Sequence, residues 1–386
     1  MSLVSAVGHS NELDGRAAAQ QAAQMALKEL RAVSPRVGLV FFSERYNANE
    51  VMQGISAVLG ETPLWGASTQ VGYSSQGSSK MVVALLGGNL SVDSAWIGHF
   101  GQDSIGAALD VKNRLERMPS SAWQSLLLAL DGVNGDVSHV LAACEGFPLQ
   151  VAGFLAGGNF PHNPPRVMGE THCAAGGLSA LWLGSGLRVG IGSAHGWKDS
   201  GIHFRITRSR DVWLHELDGM PAAQRLAQVL GFVVQDWQKP PLAELARLYP
   251  LGVRDPQAGE FILAAPLAVE QDGALRLNLN LIEGQMARLM AADPEACLEA
   301  ARGAASAARS AAGGGKAVLA VMLVDQAWQV IFETRPKAVL RAVAAELGEV
   351  ALVGATTVGQ IHSPASGVAP LATNLNIQIL LFCSPE

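Results

Sequence analysis

The chain has 386 residues, a net charge of −6 and 42 glycines, and it is 49% hydrophobic but only 16% charged, which suits large buried sheets and argues against disorder. Its length favours two domains or three, no basic cluster suits nucleic acid, and no run approaches the roughly 18 apolar residues of a membrane span. The N-terminus lacks the basic region of a signal peptide, and the scattered Cys144, Cys173, Cys297 and Cys383 form no CxxC pair, so reduced thiols and a cytoplasmic address are expected.

In chain order, Asp14 to Leu30 spaces Ala18, Ala22, Met25 and Leu30 for burial and predicts a helix. Val37–Phe42 reads as a buried strand, followed by a helix carrying Val51, Ile55 and Leu59 and closed by Gly60. A second strand follows at Pro63–Thr69, and Met81–Leu86 predicts another. A more polar helix is predicted from Asp103 to Met118. The same grammar then recurs: strand Ser125–Leu130, a helix face of Val137, Val140 and Leu141, return strand Leu149–Gly153 and later strand Leu178–Leu183. Pro161 to Cys173 reads as a polar loop, and Leu187–Ile191 as a strand.

Pro221 opens a helix over Ala222–Leu230, closed by Gly231, and the alternation from Phe261 to Leu281, with Asp272-Gly273 as a turn, predicts antiparallel hairpins. Asp293-Pro294-Glu295 starts an alanine-rich helix that runs to Ala312. The third copy is strand Ala317–Val324, a helix with Val339, Leu340 and Val343, return strand Ala351–Thr357 and later strand Ile377–Phe382. The expected fold is therefore α/β, with repeated strand–helix–strand units forming mixed sheets flanked by helices, in two halves cut near Asp218.

Leu64-Trp65-Gly66-Ala67-Ser68-Thr69 matches Leu352-Val353-Gly354-Ala355-Thr356-Thr357, which puts small hydroxyl residues after a glycine at the carboxyl end of two strands. Ligands of α/β sheets commonly sit there, so Gly66, Ser68, Thr69, Gly354, Thr356 and Thr357 are ligand-binding candidates. Trp197, with Trp182, offers aromatic lining. No GxSxG elbow, phosphate loop or GxGxxG pattern is present, and no catalytic residue is assigned. His162 and His172 share a stretch with Cys173. Two readings follow from it: a haem iron held by His172, with His162 as the second choice, or an enzyme using Cys173.

These segments resemble the FIST sensory domain. The likeness extends through Gly153–Gly158, His195-Gly196-Trp197, Glu216–Ala222, Tyr249–Val253, Glu283-Gly284 and Gly354–Ile361, in family order. The resemblance implies a FIST N-like domain over 1–217 and a FIST C-like domain over 218–386. It implies a bacterial signal-input module that binds a small molecule and acts on a histidine kinase, a cyclic-dinucleotide enzyme or a chemoreceptor. Some stand-alone relatives look like haem-based nitric oxide sensors. The resemblance adds Gln360, where the family usually has glutamate, and Asn374, where Thr373-Asn374 replaces a His-Asn pair. With the acids absent, the expected site is neutral and suits an amide or a bulky apolar cofactor better than an amino acid. The expectation is a stand-alone sensor that is not an enzyme and signals through a separate partner; a ligand-free interaction scaffold is the alternative.

Overall fold

The computed structural model describes residues 3–118, 123–158, 163–232, 248–254 and 261–384. The first unit is β1 (Val4–Ser10), α1 (Gly15–Leu30), β2 (Pro35–Ser43), α2 (Ala48–Leu59), β3 (Leu64–Thr69), β4 (Gly72–Ser74), β5 (Gly77–Ser79) and β6 (Met81–Gly87). The second repeats that order: β7 (Val92–Ile97), α3 (Ser104–Arg117), β8 (Trp123–Asp131), α4 (Val137–Ala143), β9 (Gln150–Ala156), β10 (Val167–Gly169), β11 (His172–Ala174) and β12 (Leu178–Gly184). The third starts with β13 (Arg188–Ala194) and is then interrupted. The insertion comprises β14 (Trp197–Arg210), β15 (Trp213–Leu217), β16 (Met220–Pro221), α5 (Ala222–Leu230), β17 (Leu251–Arg254), β18 (Phe261–Ala264), β19 (Pro266–Val269), β20 (Leu275–Leu277) and β21 (Met286–Ala292). The third unit resumes with α6 (Pro294–Ala311), β22 (Lys316–Asp325), α7 (Ala327–Ile331), α8 (Ala338–Leu347), β23 (Ala351–Thr357), β24 (Gly359–His362), β25 (Leu371–Thr373) and β26 (Ile377–Ser384).

Local chemistry explains the helix boundaries. Asp14, Asn47, Asp103, Asp136 and Asp293 each accept a backbone N–H in the first turn of the helix they precede, and Pro294 occupies the first turn of α6. Alanine faces let helices approach strands closely. A Cβ at Gly8 of β1 would lie 1.9 Å from the Ala22 carbonyl of α1, and one at Gly190 of β13 would lie 1.9 Å from that of Ala308 in α6.

Three six-stranded sheets share one plan: β1-β6-β2-β3-β10-β11, β7-β12-β8-β9-β24-β25 and β13-β26-β22-β23-β4-β5. In each, the middle strand runs parallel to the return strand and antiparallel to the unit's last strand. The short hairpin at the end of each sheet comes from a different unit. The first unit lends β4–β5 to the third, the second lends β10–β11 to the first, and the third lends β24–β25 to the second. The exchange closes a ring.

Matching hydrogen bonds confirm the equivalence. Ser43, Asp131 and Asp325, each ending a middle strand, donate their backbone N–H to Lys80, Gly177 and Asn376, each just before a last strand. The three inner sheet faces build one core that includes Phe41, Trp65, Leu127, Phe154, Val321 and Phe382, while each outer face packs on helices of its own unit. The insertion has a separate core around Phe204, Leu217 and Leu226.

The strand–helix–strand copies and their later strands stand where the sequence predicts. The opening strand and the hairpin of each unit add to them, and residues 167–173 of the expected loop, with Ala174, form the hairpin β10–β11. Of the hairpins expected across Phe261–Leu281, β19 pairs with β20 around Asp272-Gly273, whereas β18 pairs with β17. The cut near Asp218 falls inside the insertion, between β15 and β16; β13 lies before it and the rest of the third unit after it. No helix among the described residues is long and apolar enough to cross a membrane.

Candidate functional site

Each unit places one glycine in the middle of its return strand, and the neighbouring strand explains why. A Cβ at Gly66 would sit 1.9 Å from the Val40 carbonyl oxygen, one at Gly153 1.9 Å from that of Leu128, and one at Gly354 2.1 Å from that of Met322. The close approach at all three is to the parallel partner strand. The residues that follow reach the carboxyl ends of the strands and are buried: Ser68, Thr69, Thr356 and Thr357, with Gln360 on β24.

Those side chains form two clusters. In the first, the Thr69 hydroxyl oxygen accepts from the Thr356 N–H at 3.0 Å, and the two threonine hydroxyls lie 2.8 Å apart. The Val71 N–H completes it by donating to Thr356 Oγ1 at 3.2 Å. This ties the first unit to the third. Ser68 faces elsewhere and accepts from the Arg166 N–H at 2.8 Å.

In the second cluster, Gln360 Nε2 donates to Thr357 Oγ1 at 2.7 Å, while Gln360 Oε1, fully buried, has no partner. Beside it, Asn374 Nδ2 donates to the Val358 carbonyl, and Asn374 Oδ1 accepts from Asn278 Nδ2 of the insertion at 3.0 Å. The loop holding Asn374 is fixed by Asp325, whose Oδ2 accepts from Leu375 N–H at 3.0 Å. Leu375 takes a φ of 67° there, as Gly176 does at the equivalent place in the second unit.

Trp197 is buried, and its Nε1 donates to the Leu248 carbonyl at 3.2 Å. Its aromatic neighbour is Trp328, 6.2 Å away between ring centroids, and Trp328 in turn donates to the Leu375 carbonyl. The expected pairing with Trp182 is not formed: Trp182 belongs to the outer core of the second sheet, with Arg114 5.2 Å from its ring. Trp197 thus reaches the Asn374 loop through Trp328.

Sequence reasoning missed Gln378, Asn278 and Asp325. The signal for Gln378 was a single polar residue in the apolar run Ile377–Phe382. For Asp325 it was a carboxylate at the same strand end as Asp131, which accepts from the Val133, Asn134 and Gly176 N–H groups. An open cavity of about 790 Å³ on the insertion, lined by Arg210, Trp213, His215 and Glu270 among others, includes none of the candidate residues.

The histidine and cysteine readings meet a different environment. His172 is exposed on β11, and its ring stacks parallel to Trp96 at 5.9 Å. A haem needs an apolar pocket on the ligand side of the iron, and a surface imidazole covered by one indole does not fit that requirement. His162 lies outside the described residues. Burial pushes the Cys173 thiol up to about 12, with Arg166 pulling it slightly down, and burial pushes Cys144 and Cys297 to about 12 as well. A nucleophilic cysteine needs the opposite shift. No group of three His, Cys, Asp or Glu side chains that could hold a metal ion occurs among the described residues.

The fold and site define an α/β protein of three hairpin-exchanging units, with buried hydroxyl, carboxamide and carboxylate groups where its strands end. The chain belongs to the FIST family: the FIST N domain matches residues 36–220 and the FIST C domain residues 222–363. FIST domains are sensory domains of signal transduction. No curated protein matches the chain.

Proposed function

We propose that this chain is a small-ligand sensor, not an enzyme, acting from the cytoplasm on a separate partner such as a histidine kinase, a cyclic-dinucleotide enzyme or a chemoreceptor. The observation that carries this reading is the Thr357–Gln360–Asn374 cluster: Gln360 donates to Thr357 and Asn374 to the Val358 carbonyl between them, all buried, with the Gln360 carboxamide oxygen left unpaired. Buried polar atoms are nearly always paired, so an unpaired acceptor marks a place for a donor. Gly66 and Gly354 set the strand spacing behind the site, Thr69 and Thr356 lock its first-unit edge, and Trp197 braces the Asn374 loop.

Signal output follows from the connections. Thr357 and Asn374 belong to the third unit, Gln360 pairs with Phe154 of the second, and Asn278 carries the contact into the insertion. A ligand that changes the Gln360 environment therefore loads three parts of the molecule at once. The cysteine-enzyme reading is disfavoured by the raised thiols. A thermal-shift screen of the full chain against amino acids, carboxamides, haem and common metabolites tests the proposal, because a ligand that binds only the folded state raises its stability. A stabiliser that loses its effect on Gln360→Leu supports the sensor reading; a screen without any stabiliser favours a ligand-free scaffold.

A further inference from the structure

Strand registers align three equivalent rows across the inner faces of the sheets. They are Val82–Phe41–Ala67–Val167, Ser179–Ala129–Phe154–Gln360 and Gln378–Leu323–Ala355–Gly72. The strand ending each row meets the strand that starts another at a joint between sheets. Gly72 faces Val82, where an added Cβ would lie 3.2 Å from Val82 Cγ2. At the second joint β10, which carries Val167, meets Ser179: a Cβ added at Gly169 would lie 2.4 Å from Ser179 Oγ. At the third, Gln378 Nε2 donates to the Ile361 carbonyl at 2.9 Å, directly beside Gln360. The first joint holds only a glycine and a valine, and the second holds one small buried hydroxyl, Ser179 Oγ, which also lacks a partner. The third brings two glutamine positions together, each 0% exposed and each with an unpartnered Oε1 on a longer carboxamide arm.

Resting on the sensor reading above, we infer that the Gln360–Gln378 joint is the recognition point and that its ligand is a neutral N–H donor of the primary carboxamide class. Two unpaired carbonyl oxygens ask for two donor hydrogens, which one carboxamide –NH2 supplies. An anion would meet the two unpartnered Oε1 atoms, which repel it. A cation would have to shed its hydration where both glutamines are 0% exposed, which costs far more than burying a neutral amide. The joint lies under β24, which pairs with the second unit's sheet, so occupancy bears on the junction between second and third units.

The experiment titrates propionamide, propionate and propylammonium against the full chain, following thermal shift and the side-chain amide signals in ¹H–¹⁵N spectra. Propionamide is expected to stabilise the protein and to move two glutamine side-chain signals. Gln378→Val, which installs the residue found at the equivalent Val82, is expected to weaken the response at least tenfold. Gln360→Met is the second variant should the first not fold. A stronger response to propionate or propylammonium, or an unchanged response of a folded variant, overturns the carboxamide assignment. If some other metabolite stabilises the wild type and both variants alike, the joint is not the recognition point, although the sensor reading stands. If neither these probes nor a metabolite panel stabilises the wild type, both readings fall.

Discussion

Replacing the return-strand glycine of each unit by alanine tests the threefold account. At Gly66 the new methyl would lie 1.9 Å from the Val40 carbonyl oxygen, at Gly153 1.9 Å from that of Leu128, and at Gly354 2.1 Å from that of Met322. Ordinary van der Waals contact begins more than an ångström further out, and the atom met is backbone in a continuous parallel pair, so no flexible side chain can yield. Overpacking of this kind costs about 1–3 kcal/mol, and the shared inner core puts each substitution near the upper end. At about 1.2 °C per kcal/mol for 386 residues, each variant should melt roughly 3–4 °C below the wild type. Thermal unfolding with a urea titration reads the effect. The decisive variant is Gly153→Ala, because the second unit carries Phe154-Leu155-Ala156 where the others carry hydroxyls. If Gly153→Ala is neutral within about 0.5 kcal/mol while the other two destabilise, the glycines serve the hydroxyl sites rather than a common backbone geometry, and the reasoning fails.

Asn278→Ala and Asn374→Ala should each cost about 1 kcal/mol, and a double-mutant cycle should show coupling through their 3.0 Å bond; strict additivity would mean the insertion does not communicate by this route. Burial draws the His362 imidazole below the usual histidine range, and its Nδ1 has no partner. Below about pH 6.5 the unfolded chain takes up a proton that the folded form resists, so stability should fall as pH drops through that region, and His362→Leu should flatten this part of the profile. Urea midpoints between pH 5 and 8 check it, and an unchanged slope in the variant would refute it. With its thiol pushed up to about 12, Cys173 should alkylate slowly at neutral pH, well below the rate of a free cysteine thiol; rapid labelling selective for Cys173 would revive the cysteine-enzyme reading.

Much of this was legible in the residues. Apolar runs such as Val37–Phe42 and Ala317–Val324 are buried on both faces, and the capping Asp14, Asn47, Asp103 and Asp293 mark helix starts by local chemistry alone. The match of Leu64–Thr69 with Leu352–Thr357 aligned Gly66 with Gly354 as their strand registers do. The exchange of hairpins was not legible. Short strands such as Gly72–Ser74 and His172–Ala174 take their conformation from a partner sheet, and nothing within three residues encodes which sheet that is. For the same reason Gln360 and Gln378, 18 positions apart on strands of different sheets, could not be joined beforehand. Trp182 and Trp197 are close in sequence but lie in different cores, so their aromatic character alone did not place them together.

The most direct test is native mass spectrometry of the full chain after incubation with the small-molecule fraction of a cell extract, run beside Gln360→Leu. The account predicts one small molecule retained by the wild type and lost from the variant. Equal retention by both proteins, or none by the wild type, would contradict it.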